Sequence, residues 1–416
     1  MRCRVYRLLL PVLVFACAVC AAAENSMARV SSEHYVIETD VSRTFAEVAR
    51  RHMENMLSAY RRTLPQFDSP LEQKFRVRIF RSRRAYDRAV PDMVRGSSGV
   101  FVSHRRLLAA YLGDRVPEAV FRTLYHEGFH QFMFQAISRD APLWVNEGLA
   151  EYFAEGTWNG SGFTLGQAPL KRLHVLRQAM RHRDIVSLPE LLSMNTDKWV
   201  RNIRIDRSRA SVQYSQVWSF IHFLLHGDDG RHRGRLMDYL EDISDGKDAD
   251  RAFRRHFGRD MQVLTRAWGQ HVFALQPSDK SVCKRNLQVL MTMAKEVWGA
   301  PGEVKDVADL RDLLLGSREL RWSATGPYGT EFGSDDRVGA GRLFSCPAQQ
   351  SSSGPSYRMI RIRGGAGPAL YCLNHPGIIL RAYPGTKNGR SRVRLEERIR
   401  ATLDSDVRRA LEPVGK

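Results

Sequence analysis

Apolar positions follow two spacings along the chain, alternation near the N-terminus and helical spacing afterwards. Four short runs rich in β-branched and aromatic residues predict strands, and they lie at 34–39, 75–80, 99–103 and 107–112. Between the first two runs, apolar residues three and four positions apart predict a helix over 42–64. Six further stripes at this spacing predict helices at 170–181, 188–194, 211–225, 233–243, 249–257 and 261–273.

Two more helices are predicted between the strands and this helical lobe. The first covers residues 118–137 and the second 144–153, with Pro142 interrupting the pattern between them. Beyond about residue 276, glycine, serine and proline become common among short strand-like runs. We therefore predict an α+β fold with a small mixed sheet and a helical lobe over 24–275. A smaller, partly β C-terminal domain, to which the sequence assigns no function, follows over 276–416.

The first 23 residues have the three parts of a secretory signal peptide. Three arginines precede an apolar run at 8–19, and the alanines at 21–23 provide an A-x-A cleavage site. We therefore expect an exported protein, periplasmic or secreted. The alternatives are an uncleaved anchor and a lipoprotein attached through Cys17, which fits less well because Phe15 stands just upstream.

Composition and charge narrow the class of protein. Of the 416 residues, 43% are hydrophobic and 26% are charged, which indicates a globular chain and excludes a disordered or fibrous one. The formal net charge of +19 favours contact with an anionic envelope surface. A generally arginine-rich composition is the alternative, because the arginines are scattered. No block of basic residues with interleaved aromatics predicts specific nucleic-acid binding.

Three cysteines follow the predicted signal peptide, an odd number for an oxidising compartment. We expect one disulfide, Cys346–Cys372, which leaves Cys283 over. None of the three lies near the histidines described next, so a cysteine-ligated metal is not expected.

The motif that carries chemistry is the H-E-x-x-H at residues 126–130. Helical residues four apart share a face, so His126 and His130 can bind one metal ion together. Glu127 is rotated by about 100° from His126, which sets it beside the ion, where a general base acts on metal-bound water. Two histidines on an ordinary helix face are the alternative, but aromatic neighbours that would pack this helix against a core favour the metal site.

A catalytic zinc needs a third protein ligand and one open position. Met133 and Ala136 stand where a metzincin has its glycine and its third histidine, so that arrangement is absent. Downstream, Glu147 and Glu151 are one helical turn apart and point to the same side. Glu147 can bind the metal, and Glu151 can accept a hydrogen bond from the far nitrogen of a ligating histidine. The alternative is a pair of solvated surface carboxylates.

These two elements resemble those of the gluzincins, the thermolysin-like zinc peptidases, in which an N-E-x-x-E helix follows the H-E-x-x-H helix. Over about residues 32–275 the chain resembles the peptidase-MA-like domains of uncharacterised exported bacterial proteins, through FRVRIF, both metal elements and QYSQVWSFIHFLL (213–225). The resemblance implies a zincin-like catalytic domain, a Zn²⁺ cofactor and a peptide or protein substrate. It also implies a side chain that stabilises the oxyanion, and Tyr214 occupies that position; a packing tyrosine is the alternative.

Three hypotheses about function stay open. The first is an exported zinc peptidase with Glu127 as general base, in which the strand at 107–112 binds the peptide as an edge strand, unless that strand is interior. The second is a zinc amidase acting on cell-wall material. The third is a non-catalytic cationic binder of anionic surfaces with a vestigial zinc site, against which Glu127 argues, because a structural site needs no base.

One further histidine pair has the spacing of a metal site. His222 and His226 are four residues apart on a predicted helix. We expect them to pack or to cap the helix, because no cluster of carboxylates accompanies them at matching spacing.

Overall fold

The computed structural model describes residues 27–115 and 117–297 and several shorter segments of the C-terminal region. Those segments are 304, 306–316, 323–325, 331–333, 341–345, 356–361, 368–372, 378–383 and 392–397. The fold is mixed α+β, as predicted, with a small mixed sheet, a helical lobe and a partly β C-terminal region. The predicted signal peptide at 1–23 lies outside the described residues.

Five strands form the N-terminal sheet: β1 (Ala28–Ser31), β2 (Tyr35–Thr39), β3 (Phe75–Phe80), β4 (Gly99–Val102) and β5 (Leu107–Tyr111). Their order across the sheet is β1-β2-β3-β5-β4. The two inner pairs are parallel, and the two outer pairs are antiparallel. Every residue of β5 is buried, as befits a strand with neighbours on both sides. Of the two alternatives left open for this strand, edge or interior, the structure shows the interior one, and its outer neighbour β4 is the edge strand on this side of the sheet.

Eleven helices follow or interrupt the strands within the described residues up to 275. They are α1 (Arg43–Thr63), α2 (Arg83–Ala89), α3 (Pro117–Phe132), α4 (Leu143–Ala154), α5 (Leu170–Arg181), α6 (Leu188–Leu192), α7 (Thr196–Ile205), α8 (Arg207–His226), α9 (Arg233–Ser244), α10 (Ala249–Phe257) and α11 (Met261–Ala274). A π-helical turn, Met133–Ile137, continues α3, and a short hairpin, β6 (Thr157–Trp158) with β7 (Phe163–Thr164), follows α4. The sequence analysis missed α2 and α7.

One face of the sheet shares a hydrophobic core with these helices except α2, which packs on the other face in a small separate cluster. The side chain of Ser42 begins α1 by accepting a hydrogen bond of 3.0 Å from the backbone N–H of Phe45. The apolar stripe of α1 then packs on β1 and β2. Trp144, Trp218 and Trp268 are among the largest fully buried side chains, and they belong to α4, α8 and α11. The two metal-motif helices are therefore held inside the core, which gives their polar residues fixed positions.

The C-terminal region has a separate hydrophobic core. Its described elements are α12 (Asp279–Val297), α13 (Val307–Gly316), β8 (Ser323–Thr325), β9 (Glu331–Gly333), β10 (Tyr357–Arg361), β11 (Pro368–Cys372), β12 (Ile378–Tyr383) and β13 (Arg392–Glu397). The last four strands form an antiparallel sheet in chain order. This sheet agrees with the partly β region that was predicted, whereas the long helix α12 was not predicted.

Two of the three cysteines lie in this second core. Cys283 and Cys372 are both buried there. Cys346 lies outside the described residues, so the disulfide Cys346–Cys372 stays a prediction. Within the part of the chain that the structure describes, no helix has the length and apolar character needed to cross a membrane.

Candidate metal centre

The two histidines of the motif lie on one face of α3. Their Nε2 atoms are 3.1 Å apart, and their rings are nearly perpendicular, at 88°. Between them, Gly128 faces α1, where an added Cβ would lie only 2.7 Å from Cε of Met53. The glycine allows α3 to pack closely on α1, and this contact fixes the face that carries His126 and His130.

Helix α4 brings Glu147 to the same place. Its Oε2 lies 3.5 Å from Nε2 of His126, and its Oε1 lies 3.7 Å from Nε2 of His130. The next residue, Gly148, lets α4 approach α8 closely, because a Cβ there would meet Cγ1 of Ile221 at 2.6 Å. The structure thus brings together the three residues that the sequence predicted as metal ligands.

The geometry of this trio fits a tetrahedral zinc ion. With bonds of about 2.0–2.1 Å, neighbouring ligand atoms of such an ion lie about 3.4 Å apart. The two Nε2 atoms are 3.1 Å apart, each lies 3.5–3.7 Å from one oxygen of Glu147, and one ligand atom from each of the three residues lies within 4.8 Å of the others, so a small shift of the carboxylate gives that spacing. Oε2 of Glu147 is buried and has no hydrogen-bond partner among the described residues, which is costly for a carboxylate oxygen unless a cation binds it. No other group of histidine, cysteine or carboxylate side chains in residues 27–297, residue 116 apart, has this geometry.

Both histidines have polar partners at their far nitrogens. Nδ1 of His130 donates to Oδ1 of Asn146 at 2.8 Å, and Nδ1 of His126 lies 3.6 Å from Oε1 of Glu151. Such partners keep the proton on Nδ1 and leave Nε2 as the ligand atom. Glu151 therefore lies where the sequence analysis placed it. Asn146 was missed for this role, although it directly precedes Glu147 in the motif.

Two arginines hold Glu151 from the side opposite the histidines. Arg172 of α5 is buried, and its guanidinium pairs with Glu151 and, at 2.6 Å, with Glu155. Arg122 of α3 is about half exposed and reaches the same two carboxylates. The sequence analysis missed Arg172, because an arginine on an amphipathic helix is normally solvated. Its burial follows from the packing of α5 on α8.

The charges around the trio favour a cation. Burial opposes a positive charge on His126, but the adjacent carboxylate of Glu147 and the charges of Glu151 and Glu127 raise its pKa to about 9. Burial also opposes ionisation of Glu147, yet the charge of His130 and the adjacent imidazole of His126 lower its pKa. The carboxylates that surround the two histidines thus carry negative charge that a proton or a metal cation can neutralise.

Glu127 lies beside the trio and is held by the edge strand. The backbone N–H of Phe101 on β4 donates to Oε2 of Glu127 at 2.9 Å. This hydrogen bond joins the edge of the sheet to the histidine helix and fixes one carboxylate oxygen. The other oxygen, Oε1, is left available for proton transfer. This contact was not predicted, because nothing in the sequence indicated that the strand at 99–102 lies next to Glu127.

Tyr214 lies near the first turns of α8 and is half-buried. Its ring is nearly perpendicular to that of Trp199, with 5.5 Å between the centroids. Burial raises the pKa of Tyr214, and the charges of Glu147, Glu151 and Glu127 raise it further. The hydroxyl therefore stays protonated and lies within electrostatic reach of the three carboxylates, as a hydrogen-bond donor to an oxyanion would.

The second histidine pair is engaged in packing. His222 bonds through Nδ1 to Nε2 of His271, at 3.0 Å, and through Nε2 to the carbonyl oxygen of Gly166, at 2.9 Å. Nε2 of His226 lies 2.8 Å from the hydroxyl of Tyr152. The expectation that this pair packs agrees with these contacts.

Comparison with protein families gives one match. Residues 120–250 match a family described as a protein of unknown function (DUF1570). The match spans both metal-motif helices and Tyr214, and its description assigns no activity. A comparison with curated proteins found no match.

Proposed function

We propose that the chain is an exported zinc-dependent peptidase of the gluzincin type. The observation that carries the proposal is the trio His126, His130 and Glu147, whose ligand atoms all lie within 4.8 Å of one another, with Glu127 beside it. A purely structural zinc site has four protein ligands and no neighbouring base. Three ligands and an adjacent carboxylate are the composition of a hydrolytic site.

When bound, zinc supplies a Lewis acid that polarises a carbonyl group and lowers the pKa of a water molecule. The chain supplies the proton transfers. Glu127 accepts a proton from the attacking water and delivers it to the nitrogen of the leaving amine, as the peptide C–N bond breaks. The Phe101 N–H keeps Glu127 in one orientation during both transfers. Tyr214 donates a hydrogen bond to the oxygen that becomes negative in the tetrahedral intermediate.

The edge strand offers a place for the peptide. As an edge strand, β4 has one side without a partner strand in the described sheet, and an extended peptide can pair with such an edge. The hydrogen bond from Phe101 to Glu127 puts this edge next to the general base. A peptide bound along β4 would therefore pass the metal trio.

One substitution tests the mechanism directly. In Glu127→Gln the shape is kept and the base is lost, so we expect zinc content equal to wild type and a fall in peptide hydrolysis of about 10²–10⁴-fold. Zinc content is measured by metal analysis and cleavage with a mixed peptide library. Wild-type activity in the variant would contradict the mechanism.

The substrate class has its own test. Cell-wall material offered beside the peptide library separates the peptidase from an amidase with the same site. If only cell-wall amides are cleaved, the zinc amidase replaces the peptidase. If the wild type binds zinc and cleaves neither substrate, the hydrolase proposal fails.

A further inference from the structure

Five basic side chains line one surface cavity where α9 turns into α10. The cavity has a volume of about 690 Å³. Its basic residues are Lys247, Arg251, Arg254, Arg255 and Arg259. In the sequence these residues look like part of a scattered arginine background, but the helical turn gathers them around one opening. None of them belongs to the metal centre.

The carboxylates of the cavity are already engaged. Asp242 is buried, and its two oxygens accept hydrogen bonds from Lys247, at 2.6 Å, and from His256, at 2.8 Å. These bonds lower the pKa of Asp242 to about 2, so its charge is permanent and locally neutralised. Asp248 caps α10, where its side chain accepts from the backbone N–H of Arg251 at 2.8 Å. Asp242 also lies 3.6 Å from the guanidinium of Arg255, so it is shared among three partners, and neither carboxylate lies within 4.0 Å of the other arginines of the cavity.

Three of the arginines have no counter-ion in the described part of the chain. Arg251, Arg254 and Arg259 are exposed, and no carboxylate of the described residues lies within 4.0 Å of their guanidinium nitrogens. Arg255, the fourth arginine of the cavity, differs from these three, because its guanidinium lies 3.6 Å from Asp242. The cavity thus combines a defined volume with positive charge that the fold leaves uncompensated.

We propose that this cavity binds a ligand with more than one phosphate charge, either a soluble polyphosphate or a phosphorylated lipid headgroup. Guanidinium groups bind phosphate oxygens through two parallel hydrogen bonds. The volume lies within the range of about 300–1,000 Å³ that small-molecule sites occupy, so it holds more than a single phosphate ion. The net charge of +19 suggests contact with anionic surfaces, and this cavity is the place on the protein where we expect that contact. It does not depend on the proposed peptidase activity.

The test uses the full-length protein and two probes at one fixed physiological salt concentration. Tripolyphosphate is titrated calorimetrically, and vesicles of phosphatidylcholine with and without cardiolipin, whose headgroup carries two phosphates, are used in co-sedimentation. The cavity variant is R251Q/R254Q/R259Q. The control variant, R43Q/R51Q/R62Q, removes the same charge from exposed positions of α1. Thermal unfolding of both variants verifies that they are folded.

We expect the wild type to bind at least one probe. The cavity variant should bind at least about tenfold more weakly, the loss expected for even one charge-assisted hydrogen bond, while the control stays within about twofold of wild type. A variant with lysine at the three positions keeps the positive charge but lacks the guanidinium groups that form two parallel hydrogen bonds to a phosphate. Its loss of affinity should therefore be intermediate. Binding to tripolyphosphate alone assigns a soluble ligand, and binding to anionic vesicles alone assigns a headgroup. The proposal is overturned if neither probe binds the wild type, or if the control loses as much affinity as the cavity variant.

Discussion

The chain carries two histidine pairs with the same spacing on helices, and their surroundings differ. His126 and His130 on α3 face Glu147, and Glu151 lies behind His126. His222 and His226 on α8 contact a third histidine, a tyrosine hydroxyl and a backbone carbonyl. The first pair thus lies among carboxylates, whereas the second bonds to neutral groups and has the cation Arg233 nearby.

Because of this difference, the pKa values of the imidazole groups shift in opposite directions in the two clusters. At the metal centre, the neighbouring carboxylates overcome burial and raise the pKa of His126 to about 9. In the second cluster, burial dominates and lowers the pKa of His226 and of His271 to about 4. A pair of histidines four residues apart therefore becomes a cation site only where a second helix supplies negative charge.

The largest effect is expected when the support behind the carboxylates is removed. In Arg172→Met, Glu151 and Glu155 lose their buried partner, so the free energy of unfolding should fall by about 3–5 kcal/mol. Zinc affinity should fall by about 10–100-fold, because Glu151 no longer has a fixed position. Urea unfolding and competition with a chromophoric chelator measure the two quantities.

A matched control exists on the solvent side of the same cluster. Arg122 also pairs with Glu155 but is about half exposed, so Arg122→Met should cost less than about 1 kcal/mol. Equal losses in the two variants would show that burial of Arg172 is not what makes it important.

A second prediction makes the first histidine pair resemble the second. Glu147→Gln removes the negative ligand and keeps the shape, so zinc affinity should fall by more than about 100-fold, the upper end of what partners behind the ligands contribute. The control is His226→Gln, which changes the other pair and should leave zinc affinity unchanged. Competition with a chelator measures the zinc affinity of both variants. A loss of zinc affinity in the control would show that the second histidine pair also contributes to zinc binding, which would contradict the distinction between the two pairs.

The third and smallest effect is a pH dependence of stability. The free energy of unfolding should fall on both the acidic and the alkaline side of about pH 6.5, which gives the pH profile an acidic and an alkaline limb. Below about pH 6.5 the unfolded chain gains protons on His226 and His271, whose pKa in the folded protein is about 4, so stability falls towards pH 4. In the metal-free protein, the contribution of His126 to the pH dependence of stability has the opposite sign. Its folded pKa of about 9 means that its contribution, present below pH 6.5, is lost as the pH rises towards 9.

The measurement is urea unfolding of the metal-free protein at about pH 4.5, 6.5 and 8.5, with the highest stability expected at the middle value. His271→Gln should make the acidic limb shallower, because His226 and His52, whose pKa values are also lowered, still contribute to it, and should leave the other limb unchanged. A free energy of unfolding that is the same at all three pH values would contradict both assignments.

Much of the fold followed from local patterns. The strand at 75–80 and the helix over 42–64 were predicted to within one residue, because their apolar spacing is regular and their faces are buried. The short helices α2 and α7 and the long helix α12 were missed, and the sequence left open whether the strand at 107–112 lies at the edge or inside the sheet. Strand order depends on which edges meet in space, and an all-apolar run such as β5 has the same composition in either position.

Of the residues at the candidate metal centre, too, some were predictable from local patterns and others were not. His126, His130 and Glu147 were predictable because a helix converts a spacing of four into a shared face. Arg172 and the Phe101 amide were not, because each reaches the site from an element distant in the chain. Tyr214 was placed by resemblance alone, and its role stays a prediction.

The sequence by itself determined the α+β class, the helix that carries the two histidines and the candidate third ligand, since these depend on contacts within a turn or two of helix. The tertiary structure alone decided that β4 is the edge strand, that Arg172 is buried behind Glu151, and that scattered arginines line one cavity. Those features arise from packing between distant segments, where side-chain burial and charge pairing are set by the neighbours that folding brings together.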